Sequence, residues 1–156
     1  MGIGRVDVID LDPSTSASRA MNVSTRGHVL TDPAAMIGGF IINGTHARRV
    51  AIRAIGPSLA QFGVPGTLAA TTLQVNDSNG VIASNTGWQT GSVPSNGLAL
   101  PTGGSMAELQ THNLAPGSTS ESAIVLTLSP GAYTVVVHGV NNSTGVGLVE
   151  VYDLEE

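Results

Sequence analysis

The segment from Arg53 to Ser58 reads Arg-Ala-Ile-Gly-Pro-Ser and places a hydroxyl beside glycine and proline. A nucleophilic serine would be expected in a Gly-x-Ser-x-Gly motif, and this segment lacks one. No histidine or acid has a motif-defined relation to Ser58. Serine is favoured at helix starts because its oxygen accepts backbone amide protons. We therefore expect Ser58 to cap residues 59–62, and we predict no catalytic residue and no enzymatic activity.

Metal chemistry has equally weak support in the sequence. The four histidines are His28, His46, His112 and His138, and they show no metal-ligand spacing. The run Asp77–Gly80 has only part of a calcium loop, and its composition is that of a hairpin turn. Asp10, Asp12 and Asp153 would share a calcium ion only if the two chain ends met. We predict no metal site and no cofactor, and a calcium titration tests that exception.

Trp88 and Arg53 each have a structural interpretation, and Trp88 has a functional one as well. Trp88 is the single tryptophan and lies in a loop, residues 85–121, rich in glycine, serine and proline. It is a candidate ligand contact that would stack on a sugar, or else an anchor for the loop. Arg53 lies among apolar residues, so we expect a carboxylate partner, because an unpaired buried charge is costly.

The two ends of the chain resemble each other. Aligned at an offset of 143, residues 1–13 and 144–156 are identical at six of thirteen positions. Average residue usage gives about one identity by chance. The identical pairs are Gly2/Gly145, Gly4/Gly147, Val6/Val149, Val8/Val151, Asp10/Asp153 and Leu11/Leu154. The chain thus contains one repeat period and the start of another, which is typical of a unit in an array or fibre.

Both copies of the repeated segment change phase at the same point. Alternation puts Val6 and Val8 on one face, but the apolar residues Ile9 and Leu11 fall on the other. The second copy changes phase at Val151-Tyr152. A β-bulge produces such a change, and so does a strand covered on both faces. The shared change predicts that both copies fit one kind of slot.

Apolar, β-branched runs alternate with turn signals along the whole chain. They predict an all-β fold, a single β-sandwich of about nine short strands with one or two helical turns, for which Greek-key links are one option. Strands are expected near 5–11, 22–30, 35–43, 48–55, 71–77, 80–84, 122–128, 132–139 and 146–154. Helical turns are expected at 57–62 and 105–112.

The turn residues predict how these strands connect. Asn43-Gly44, Asp77–Gly80 and Pro130-Gly131 each separate two apolar runs and indicate hairpins. Strand 146–154 follows a short turn, so we expect it to pair with strand 132–139.

The same features divide the chain into three parts. Residues 1–12 form an N-terminal arm, residues 13–18 a flexible linker, and residues 19–156 the sandwich.

Composition excludes several classes of function. Charged residues are only 11% of the chain, lysine and cysteine are absent, and the net charge is −5. Nucleic acid is therefore not expected as a partner. No apolar run approaches the roughly 20 residues that span a bilayer, so membrane insertion is not expected. Residues 1–13 are charged and alternating, unlike the apolar core of a signal peptide.

Several blocks carry a resemblance to a known repeat. They are Ile37-Gly-Gly-Phe-Ile-Ile-Asn-Gly44, the run Arg49–Gly66, Leu73–Asp77, Ile82–Asn85, Glu121–Ile124, Pro130–Thr134 and Gly145-Val-Gly-Leu-Val-Glu-Val-Tyr-Asp-Leu154. In order and spacing they resemble a tandem β-rich repeat module of large secreted bacterial surface proteins. The resemblance implies an extracellular, non-catalytic module whose closing Val-Glu-Val-Tyr-Asp-Leu runs into the next unit. Residues 90–118 depart from it and are longer than usual.

These observations favour a structural subunit or repeat of an extracellular or cell-surface fibre. Its partners would be copies of itself, joined head to tail by β-strand sharing. The predicted interface residues are Val6, Val8, Ile9, Leu11, Val149, Val151, Tyr152 and Leu154. The alternative is a non-catalytic carbohydrate-binding or adhesion module of a secreted protein, which would need exposed aromatic side chains.

Overall fold

Two antiparallel β-sheets form this protein in a computed structural model that describes residues 21–90, 93–94 and 104–155. The strands are β1 (Asn22–Val29), β2 (Met36–Ile42), β3 (Arg48–Ile55), β4 (Thr71–Asp77), β5 (Gly80–Thr86), β6 (Val93–Pro94), β7 (Ser122–Leu128), β8 (Gly131–Gly139) and β9 (Gly145–Asp153). Sheet A has the order β1-β9-β3-β7, and sheet B has the order β2-β8-β4-β5-β6. The predicted all-β sandwich is confirmed.

Alternating side chains build the core between the sheets. Leu73 and Val75 on β4 and Val135 and Val137 on β8 are fully buried, whereas the residues between them are partly exposed. From sheet A, Ile52 packs into the same cluster. This period-two burial is what a half-buried strand needs, so these segments could be predicted directly.

Sheet A is covered on its outer face as well. Helix α1 (Gly104–Thr111) and the residues that follow it, up to 116, lie on this face and are called the cover below. Leu109 of α1 packs with Ala51 of β3 and with Ala123 and Val125 of β7. Consequently β7 is buried on both faces, and its residues 123–126 form a continuous apolar run.

The strand connections differ from the predicted hairpins. Of the three predicted hairpin turns, only Asp77–Gly80 joins two paired strands, β4 and β5. Asn43-Gly44 and Pro130-Gly131 join strands of opposite sheets, so these two predictions were wrong. An Asn-Gly pair supplies the positive φ of a turn, here 95° at Gly44, but it does not decide whether the next strand pairs or crosses over.

Two more expectations require correction or lie beyond the described residues. Strand β9 pairs with β1 and β3, not with β8, because β8 belongs to the other sheet. The predicted strand 5–11, the arm 1–12 and the linker 13–18 lie outside the described residues. Within the predicted loop 85–121, the structure adds the short strand β6 and confirms a helix at Gly104–Thr111.

The predicted helical turn at Pro57–Phe62 is a 3-10 helix that ends at Gly63, where φ is 75°. Ser58 does not cap it, because its hydroxyl donates to the buried carboxylate of Glu121. Glu121 performs the capping: its Oε1 accepts from the amides of Gly56 at 3.0 Å and Ser58 at 2.9 Å. Its Oε2 accepts from the amide of Ser118 at 3.0 Å, so one side chain joins two distant loops.

We expect Glu121→Gln to lower the free energy of unfolding by about 2–4 kcal/mol, because a carboxamide places donor hydrogens where a backbone amide also donates. Urea unfolding measures the change. Ser58→Ala is the control, since it removes one donor and leaves the three amide contacts, and it should cost about 1 kcal/mol. Equal losses in both variants would contradict the capping role of the carboxylate.

Candidate functional site: the slot of the closing strand

Strand β9, the C-terminal copy of the repeated segment, is paired along both edges. Its residues Gly145–Tyr152 pair with β1, and Leu148–Asp153 pair with β3. No register shift interrupts either ladder. We call the space between β1 and β3, bounded near the start of β9 by residues 66–68, the slot. Within one chain, the slot therefore pairs Leu148–Tyr152 along both backbone edges.

Backbone contacts hold both ends of β9. Near its start, the amide of Val146 donates to the carbonyl of Gly66 at 2.7 Å, and Leu68 donates to the carbonyl of Val146 at 2.9 Å. Beyond its end, the amide of Leu154 donates to the carbonyl of Arg49 at 2.8 Å. The closing strand is thus also held by backbone hydrogen bonds to Gly66 and Leu68 near its start and to Arg49 just past its end.

The phase change of the repeated segment has a clear structural cause. Val149 and Val151 face the core between the sheets, whereas Tyr152 and Leu154 face outward and pack beneath the cover. The strand contains no bulge. Of the two explanations that the sequence left open, a strand covered on both faces is therefore correct.

Two glycines of β9 lie where the slot is too narrow for a side chain. A Cβ on Gly145 would lie 2.8 Å from the carbonyl oxygen of Gly66. A Cβ on Gly147 would lie 2.9 Å from a methyl group of Val29. These distances are shorter than van der Waals contact, so the slot selects glycine at both positions.

Arg53 lies at the centre of the polar contacts on the outer face. Its Nε donates to Oε2 of Glu150 at 2.9 Å, and its Nη1 donates to the carbonyl of Leu114 in the cover at 2.9 Å. The guanidinium also lies 5.2 Å from the ring centre of Tyr152. The predicted carboxylate partner of Arg53 is confirmed as Glu150.

The Tyr152 hydroxyl completes this network by donating to Oε1 of Glu150 at 2.9 Å. Burial raises the pKa of Tyr152, and the hydrogen bond to Glu150 raises it further. The hydroxyl therefore remains a donor throughout the neutral range. Glu150 thus accepts from Arg53 of β3 and from Tyr152 of its own strand. Because Arg53 also donates to Leu114, it joins the closing strand to the cover.

A second arginine holds the cover at its helix. Nε and Nη2 of Arg49 donate to the two carboxylate oxygens of Glu108 in α1, the first at 2.8 Å. This hydrogen bonding lowers the pKa of Glu108 and raises that of Arg49. Ser105, at the start of the helix, accepts from the amide of Val125 at 3.2 Å. The cover is therefore bound to both β3 and β7.

The remaining candidate residues take structural positions. Trp88 is only 7% exposed, and its Nε1 donates to the carbonyl of Ser118, which favours the loop anchor over the sugar contact. His138 is partly exposed and hydrogen-bonds Asp32 at 3.1 Å. Asp77 accepts from the amide of Asn79, as in an ordinary turn. Among residues 21–90 and 104–155, no three His, Asp or Glu side chains form a group suited to a metal.

Sequence reasoning identified the repeated segment but missed what constrains it. Val6, Val8, Ile9 and Leu11 lie outside the described residues. Their counterparts in β9 line the slot and the cover interface. The structure adds Gly145, Gly147 and Glu150, and the signal for the glycines was their identity in both copies of the segment.

The chain resembles the pre-peptidase C-terminal domain of collagenase from Bacillus anthracis, with 11% identity over 84% of this chain and 89% of that chain and a TM-score of 0.47. No protein-family model matches the chain, and no curated protein matches it. In the part of the chain that the structure describes, no helix is long and apolar enough to cross a membrane.

We expect Gly147→Ala to lower the free energy of unfolding by about 1–3 kcal/mol, because the new methyl group must displace Val29. Gly131→Ala is the matched control on β8, since its Cβ would have no neighbour closer than 3.7 Å. Chemical unfolding of both variants measures the difference. A loss at position 147 no larger than that at 131 would contradict the narrow slot.

Acid should loosen the cover through Glu108. Because its pKa is lower in the folded protein, the stabilisation is complete above the unfolded pKa of about 4.3 and is lost as pH falls through the folded value. We expect Glu108→Gln to cost about 0.5–1 kcal/mol at neutral pH, a range that allows for solvent screening. Urea unfolding at several pH values should show this difference vanishing in acid. A difference independent of pH would contradict the ion pair.

Proposed function

We propose that this chain is a structural unit of an extracellular fibre or repetitive surface protein, joined head to tail by β-strand sharing. In this proposal, the N-terminal arm of one unit fills the slot of the unit before it. The observation that carries the proposal is that the arm repeats the residue types that the slot requires.

The glycines are the sharpest part of this match. Gly2 and Gly4 of the arm align with Gly145 and Gly147, the two positions where the slot leaves no room for a Cβ. An alternating strand has no general need for glycine, which weakens strands through its conformational freedom. Retention of both glycines in the arm is expected if the arm occupies a slot of the same shape.

The side chains of the arm agree with both faces of the slot. Val6 and Val8 match the two core-facing valines of β9, and Leu11 matches the leucine beneath the cover. Asp7 supplies a carboxylate at the position of Glu150, where Arg53 needs a partner. The arm can therefore satisfy the inner core, the outer cover and the buried cation together.

Two differences make the arm the weaker of the two strands. Ile9 replaces Tyr152 and lacks the hydroxyl that donates to Glu150. Arg5 replaces Leu148. The arm therefore should not displace β9 from its own unit, and it is available to a neighbouring unit whose slot is open. A tandem array supplies such a slot, because there the arm is the closing strand of the preceding unit.

The extracellular location in this proposal rests on the sequence resemblance to secreted repeat proteins. The alternative binding module receives no support from the described aromatic side chains. Trp88 is buried, and Tyr133 stacks on Phe40 with ring centres 5.4 Å apart. Phe62, at 76% exposed, is a single ring and does not make a sugar platform on its own.

A donor and an acceptor test the joint directly. The acceptor is residues 13–143, which lack both copies of the strand, and the donor is the full chain. We expect a one-to-one complex in analytical ultracentrifugation, because the donor arm closes the open slot. A synthetic peptide of residues 144–156 is the positive control, which establishes that the acceptor can be closed.

Variants of the donor arm distinguish strand sharing from non-specific association. Gly2→Val combined with Gly4→Val should abolish the complex, since both side chains meet the walls of the slot. Ile3→Val is the matched control and should preserve it, because valine occupies the aligned position in β9. An acceptor that binds the peptide but not the full chain would refute the shared strand.

A further inference from the structure

A second contact surface lies on β2, away from the slot. Among residues 21–90, 93–94 and 104–155, the edge strands are β1 and β7 in sheet A and β2 and β6 in sheet B. An unprotected edge strand pairs readily with another chain, so natural sheets carry charges, prolines or covering segments there. These four edges can therefore be compared by the protection that each one has.

Three of the edges are protected. On β7, the amide of Ala123 donates to the Asn85 side chain at 3.0 Å, and that of Val125 donates to Ser105. On β6, Pro94 has no N–H to offer. On β1, the exposed cation Arg26 lies in the middle of the strand.

In the part of the chain that the structure describes, strand β2 has none of these features. Its sequence, Met-Ile-Gly-Gly-Phe-Ile-Ile, contains no charged residue and no proline, and its ladder with β8 runs without a bulge. Ile37 and Ile41 on its outer face are 61% and 69% exposed. Their ladder partners on β8, Val136 and Ala132, are also apolar, so the patch continues across two strands.

The order of residues on this edge is self-complementary. Gly39 lies midway between Ile37 and Ile41. If two β2 strands run antiparallel with Gly39 opposite Gly39, then each Ile37 lies opposite an Ile41 of the other copy. Directly opposed Cβ atoms lie about 4.5–5.5 Å apart, so both isoleucine pairs would be in contact.

We propose that β2 pairs with β2 of a second copy about this two-fold axis and joins their B sheets into one. The contact brings no like charges together, although each chain carries a net charge of −5. The N-terminal arm is a poorer occupant of this edge. Its three aspartates would lie along an apolar strand, and its apolar residues on both faces match the covered slot instead.

Cysteine cross-linking tests the axis, because the chain has no cysteine of its own. Gly39→Cys fits the fold, since its Cβ would have no neighbour nearer than 3.8 Å. We expect it to form a disulfide-linked dimer of the full chain under mild oxidation. A mixture of Ile37→Cys and Ile41→Cys should cross-link with each other more than either does alone. Phe62→Cys gives the background of an exposed site elsewhere.

A charge at the edge tests the same contact without cross-linking. Ile41→Lys should weaken self-association in ultracentrifugation at least about tenfold, because it places two charges in an apolar contact. Phe62→Lys is the matched control and should leave association unchanged. Thermal unfolding of both variants should match the wild type, since both side chains are exposed.

Three results would overturn the proposal. One is a Gly39→Cys yield no higher than that of Phe62→Cys, and another is equal association of Ile41→Lys and wild type. The third is a Gly39→Cys cross-link that forms only after deletion of residues 1–12, which would assign this edge to the arm. None of these results bears on the donor–acceptor complex, which uses the slot. With Ile41→Lys in both donor and acceptor, that complex is measured without a contribution from β2 pairing.

Discussion

The position of β9 in the middle of sheet A is the constraint on which the rest of the structure depends. A central strand must satisfy two ladders, and here it must also fill the core on one face and meet the cover on the other. Few residue types can do all of this at once. The glycines, the valines, Glu150 and Tyr152 each meet one of these demands. Arg53 contacts Glu150, Tyr152 and the carbonyl of Leu114 in the cover.

The sequence predicted the strands because each has a readable period or a continuous apolar run. Eight expected strands lie close to observed ones, and β4 and β8 owe this to strict alternation. The connections were harder to predict, since the same Asn-Gly or Pro-Gly turn serves a hairpin and a crossover equally well. The pairing of β9 also depends on long-range partners that no local pattern encodes. Ser58 shows the same limit, because its capping role passes to Glu121, which lies 63 residues away along the chain.

Features of the candidate site could be predicted at positions where the two ends of the chain carry the same or similar residues. The identity of the glycines in both copies is a sequence signal for the constrained positions, although their constraint became apparent only from the geometry. The phase change pointed to a strand with two covered faces, and the cover supplies the second face. That cover could not be foreseen in detail, because its attachment uses two arginines of β3 whose partners are distant in sequence. The buried position of Trp88 likewise follows from the cluster around it rather than from its own neighbours along the chain.

The chain enters and leaves the sandwich at the same corner. Asn22 at the start of β1 lies opposite Tyr152 near the end of β9, and the amide of Asp153 donates to the carbonyl of Met21. Tension applied through these two points would act across the ladder rather than along it. The hydrogen bonds of the β1–β9 ladder would then break one after another from that corner instead of bearing the force together. In the proposed array, the body of each unit would lie to one side of the line that joins its two attachment points. The units would open one pair of residues at a time.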